Sequence, residues 1–96
     1  MKHFALMYDV VDGFAEKRMP FRPQHLELIQ DAHARGNLLL AGALGDPPDG
    51  ALLVFRAESA DVAERFATAD PYVTGGLVRR WSVRSWNVVI GAAPAP

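Results

Sequence analysis

Cysteine is absent from the 96 residues. That removes disulfides, thiolate nucleophiles and sulfur-ligated zinc together, and leaves packing to hold the chain. Charge of one sign is missing as well: 10 basic and 11 acidic residues give a net charge of -1 with the histidines neutral. Such a balance offers no basic field to a phosphate backbone, so nucleic acid is not an expected partner. No apolar run approaches the roughly 18–20 residues that cross a bilayer. Met1-Lys2-His3-Phe4 leads into a short apolar stretch without the long hydrophobic segment or cleavage site of a signal peptide. A cytoplasmic protein with no membrane partner is expected. The histidines, His3, His25 and His33, are scattered without ligand spacing, so neither a metal site nor a cofactor is expected.

What is present is apolar: 50% of the residues are hydrophobic, which is generous for one small domain. That domain is expected to span residues 1–90, followed by a disordered tail over 91–96 built of small residues and proline. His3–Val11 (HFALMYDVV) is aromatic, aliphatic and β-branched and stops at Asp12-Gly13, which predicts a first strand with Phe4, Leu6, Tyr8 and Val10 on one face. Phe14–Phe21 is mixed in charge, carries Pro20 and reads as a linker. Pro23–Arg35 follows as a helix with His25, Leu28, Ile29 and Ala32 on one side, closed by Gly36-Asn37. Leu38–Gly45 and Ala51–Ala57 flank the turn Asp46-Pro47-Pro48-Asp49-Gly50 and predict a hairpin. Gly42 inside it marks either a bulge or room for something to approach the backbone. Ser59 is the expected N-cap of a second helix that puts Val62, Ala63, Phe66 and Ala67 on one stripe and ends at Asp70. After Gly75-Gly76, Leu77–Ile90 predicts a long last strand with Trp81 and Trp86 as packing or interface residues.

The order strand, helix, strand, strand, helix, strand is the split βαβ arrangement of an α+β, ferredoxin-like protomer. Two helices cover one face of four strands, yet the strands are apolar on both faces. The second face is expected to be buried by another copy, giving a homodimer with sheets packed face to face.

Two polar residues stand out. Proline disfavours helical geometry in the residue before it, so Asp70, ahead of Pro71, falls where a helix stops and leaves its carboxylate free for something other than capping. His25 lies on the apolar side of the first helix, where the ring needs a partner. That partner is either a backbone carbonyl in a plain core or a carboxylate such as Asp70. Tyr72 is a core residue whose hydroxyl can reach a pocket. Arg22, beside the His-bearing turn, either binds an anionic group or pairs on the surface with Glu27 or Asp12. Arg79, Arg80 and Arg84 form a solvated or dimer-rim set.

Arg22-Pro23-Gln24-His25-Leu26, Leu39-Leu40-Ala41-Gly42, and Phe66-Ala67-Thr68-Ala69-Asp70-Pro71-Tyr72-Val73 followed by Gly76-Leu77 together resemble the YCII-related proteins over nearly the whole chain. The resemblance implies a ferredoxin-like protomer forming a dimeric α+β barrel. It also implies a site centred on a histidine and an aspartate, here His25 and Asp70, with Arg22, Gly42 and Tyr72 shaping the substrate end. The implied function is that of a small-molecule enzyme of lyase, isomerase or hydrolase type. The competing expectation is a non-catalytic module that binds a small ligand or serves in dimerisation.

Overall fold

The structure is a computed structural model and describes residues 1–91; the tail expected over 91–96 lies, past its first residue, outside the described residues. Four strands, β1 (Lys2–Val10), β2 (Leu38–Leu44), β3 (Gly50–Ala57) and β4 (Val78–Trp86), form one antiparallel sheet in the order β2-β3-β1-β4. The two long helices are α2 (Arg22–Ala34) and α3 (Asp61–Ala69), and two single-turn helices are α1 (Phe14–Lys17) and α4 (Pro71–Thr74). The segment expected to be a linker is therefore ordered: α1 and a 3-10 turn at Met19–Phe21 fill it, with Phe14 buried as their anchor. Gly13 starts α1 with φ 74°, a left-handed conformation suited to glycine.

The alternation in β1 decides where the core sits. Phe4, Leu6, Tyr8 and Val10 are all buried under the helices, together with Leu53 and Phe55 of β3 and Ala63, Phe66 and Ala67 of α3. The opposite face carries Ala5 and Met7, paired across the ladders with Val54 and Leu52, which in turn face Leu40 and Gly42. Met7 is 42% exposed and Leu40 71%, so an apolar surface stands on the side the helices do not reach.

Three local expectations change. Ser59 is exposed and does not cap α3; the preceding residue of the helix is Ala60 and no side chain caps it. Asp61 and Glu64 in the first turn supply negative charge against the positive helix end instead. The last strand stops at Trp86, not Ile90, because among the described residues it pairs with β1 alone and Trp86 already stands opposite His3 near the head of that ladder. The irregularity of β2 falls between Leu38 and Leu40, not at Gly42. Gly75 shows why the chain is tight after α4: a Cβ there would come within 2.7 Å of the Phe21 ring and of the Pro71 carbonyl oxygen. A larger residue would drive the Met19–Phe21 turn away from α4.

The connectivity places the two polar residues of interest. Lys2 pairs with Ala57 and Asp9 with Gly50, so β3 ends where β1 begins. α2 leaves from the far end of β1, while α3 starts at the end of β3 and runs back. The head of α2 and the tail of α3 thereby meet beside Tyr8.

Candidate active site

Asp70 leaves α3 with φ -69° and ψ 124°, the extended geometry that a following proline favours. Its side chain is 0% exposed and accepts three hydrogen bonds. Oδ2 accepts from the Tyr8 hydroxyl at 2.7 Å. Oδ1 accepts from the Tyr72 backbone N–H at 3.0 Å and lies 2.8 Å from Nδ1 of His25. The carboxylate was expected to be free of capping; instead it caps α4 through Tyr72 and holds the histidine at the same time. Pro71 explains the double duty, since it stops one helix and opens the next within a single residue. A buried carboxylate is tolerated only when donors surround it, and here three do.

Because an ionised carboxylate offers acceptors only, Nδ1 of His25 carries the hydrogen of this pair, and in the neutral ring Nε2 keeps the lone pair. His25 is buried, and the Tyr72 ring stacks on it with centroids 3.7 Å apart and planes 12° off parallel. Phe14 meets the other part of Tyr72 edge-on at 5.4 Å. Clamped between an acid and a ring, the imidazole has one nitrogen available for exchange with a ligand. Arg22 makes neither of the surface pairs considered for it; its guanidinium donates to the Tyr72 hydroxyl over a long 3.5 Å. Asp12 pairs with Arg79 instead, and Arg80 with Asp9, as exposed ion pairs.

These side chains border a cavity of about 250 Å³. Arg18, Arg22, His25 and Tyr72 give it polar groups, while Phe14 and Leu53 are among its apolar walls. Gly42 also borders it; in the β2-β3 ladder it stands opposite Leu52, and a Cβ added there would meet nothing within 4 Å. Four of the five residues expected at a site, Arg22, His25, Gly42 and Tyr72, therefore line one hollow, and Asp70 stands off its wall, bonded to His25. The volume is at the small end of the roughly 300–1,000 Å³ common for small-molecule sites and has room for about one ring. No group of three metal-ligating side chains occurs among the described residues.

Sequence reasoning missed two residues. Tyr8 was placed in the core by strand alternation, and its hydroxyl, which needs a partner when buried, was the unread signal. Arg18 was hidden in the supposed linker. Burial pushes the Tyr8 hydroxyl far above its usual range, and the neighbouring Asp70 charge and the bond to it push the same way. Folded Tyr8 stays protonated where an unfolded tyrosine ionises, near pH 10. Its contribution to stability is complete below that pH and is lost as pH rises towards the folded value. An absorbance titration should therefore show no ionisation of Tyr8 in the folded chain, its share of the signal appearing only on alkaline unfolding. Ionisation of Tyr8 at pH 10 with the fold intact would contradict the buried bond.

Fold and site together define a ferredoxin-like α+β protein with a buried histidine–aspartate pair beside a cavity. A YCII-related domain is matched over residues 1–87. Protein YciI of Escherichia coli O6:H1 is 36% identical over 83 residues, covering 77% of this chain and 85% of that protein. The chain belongs to the YCII-related family. Among solved structures it is similar to 5-chloro-2-hydroxyhydroquinone dehydrochlorinase (TftG) from Burkholderia phenoliruptrix AC1100, in complex with 2,5-dihydroxybenzoquinone. The TM-score is 0.74 at 22% identity, over 88% of this chain and 93% of that one. A NIPSNAP family protein from Agrobacterium tumefaciens strain C58 follows with a TM-score of 0.59 at 17% identity, over 92% of both chains. At these identities the likeness is one of fold. No helix among the described residues is long and apolar enough to cross a membrane.

Proposed function

We propose that this chain is an enzyme of lyase, isomerase or hydrolase type that moves a proton on a small ring-shaped molecule. His25 is the general base through Nε2, and Asp70 orients it and balances the charge that forms. Arg22, Tyr72 and the backbone at Gly42 shape the substrate end. The observation that carries the reading is the 2.8 Å contact between His25 Nδ1 and a fully buried carboxylate, in a ring that borders a cavity. No nucleophile is asked for, and the family relationship supports a shared site.

The dehydrochlorinase among the structural relatives suggests the first probe, 5-chloro-2-hydroxyhydroquinone. Chloride release above the spontaneous rate, abolished in His25→Ala, is the expected result. Saturable binding of the probe without any turnover would instead favour a ligand-binding module.

The same reading includes a homodimer formed through the open face of the sheet, with Ala5, Met7, Leu40, Leu52 and Val54 at its centre. Leaving that apolar surface in water is unfavourable at about 25 cal/mol per Å². Light scattering should give twice the 10.5 kDa chain mass, and Leu52→Glu should halve it. A monomeric parent protein would refute the arrangement.

A further inference from the structure

Arg18 and Arg22 border the same cavity, and no acidic residue lies on its wall. Neither arginine has a carboxylate partner among the described residues, whereas Arg35, Arg79 and Arg80 each take one at the surface. Arg18 is held in place by its guanidinium above the Phe14 ring, 5.5 Å from the centroid, and its Nε is buried with no acceptor. That nitrogen is closed off, which fixes the side chain and leaves the terminal N–H groups of the guanidinium to meet an acceptor. Arg22 contributes a second guanidinium whose one hydrogen bond, to Tyr72, is at the long limit. Two guanidiniums bordering one small hollow match a delocalised oxyanion, and the apolar walls suit an apolar ring as the remainder of the ligand. Asp70 is not on the cavity wall and its oxygens are occupied by three donors.

We infer that Arg18 and Arg22 form an anion site, and that the substrate is a single-ring molecule bearing a planar oxyanion, either a carboxylate or an ionised enol or phenol. This names the substrate class of the cavity proposed above and rests on that cavity being the ligand site. In this arrangement the arginines fix one end of the ring and His25 meets a proton at another position.

The test uses benzoate, 4-nitrophenolate and neutral benzamide as probes, with affinities from calorimetry on the intact protein. At least one anion is expected to bind tenfold or more tightly than benzamide. Arg18→Gln is expected to lower that anion's affinity at least tenfold while leaving benzamide unchanged, and Arg18→Lys, which keeps the charge but not the fork, to fall between. Thermal melts confirm that each variant is folded. Arg22→Gln carries the same expectation if Arg18→Gln does not fold. Anions no tighter than benzamide, or affinity indifferent to the arginine variants, would overturn the inference. His25→Ala separates the two readings. Anion binding that survives in it while turnover stops supports both. Turnover that depends on His25 without anion preference removes only the anion site, and anion binding with His25-independent turnover removes only the catalytic assignment.

Discussion

His25→Ala is expected to slow the reaction of this protein by about 10²–10⁴-fold, the range over which one positioned base contributes. Its fold should remain. Removing the ring takes one donor from Asp70, but Oδ1 keeps the Tyr72 N–H at 3.0 Å and Oδ2 keeps the Tyr8 hydroxyl at 2.7 Å. The carboxylate is thus still paired, and the space left by the ring opens onto an existing cavity rather than into sealed hydrocarbon. A melting temperature within a few degrees of the parent, together with lost turnover, is the expected pairing of results. A variant that turns over at the parental rate would eliminate His25 as the base.

Asp70→Ala is expected to behave in the opposite way and to fail first in stability. Three donors, from Tyr8, His25 and the Tyr72 backbone, lose their acceptor in a site with no exposure at all. Each buried donor left without its acceptor costs about 1–3 kcal/mol. A domain holds only roughly 5–15 kcal/mol in total, and one of this length sits towards the low end. Urea denaturation should show the midpoint collapse, with much of the chain unfolded before denaturant is added. Asp70→Asn keeps the shape and one acceptor but turns an amide N–H₂ towards one of the donors. It should fold, with lower stability, and lose turnover because the imidazole is no longer held in the tautomer that frees Nε2. An Asp70→Ala protein as stable as its parent would mean that the three bonds carry nothing.

Much of this arrangement was legible in the residues. Alternation in β1 and the turn signals at Asp12-Gly13, Asp46–Gly50 and Gly75-Gly76 defined the element order. Once that order is set, connectivity alone brings the head of α2 to the tail of α3, which is why two residues 45 positions apart meet. The missed linker helix has a physical cause, because short elements lean on tertiary contacts more than on local pattern. α1 and the turn at Met19–Phe21 have too few residues for a period to show, and they exist because Phe14 is buried and Phe21 rests against Gly75. Tyr8 was read correctly as buried and incompletely as apolar. Arg18 could not be read at all, since its meaning depends on the aromatic ring four residues earlier being turned inwards.

The buried carboxylate is at once the keystone of the hydrophobic interior and the fixture that aims the histidine, while Arg18 follows α1 and Arg22 opens α2, with neither bonded to that carboxylate. Over generations the two parts are therefore free to diverge at different speeds. A change at Arg18 alters what the cavity accepts and leaves the core bonds in place, whereas a change at Asp70 disturbs the interior and the aim of the histidine together.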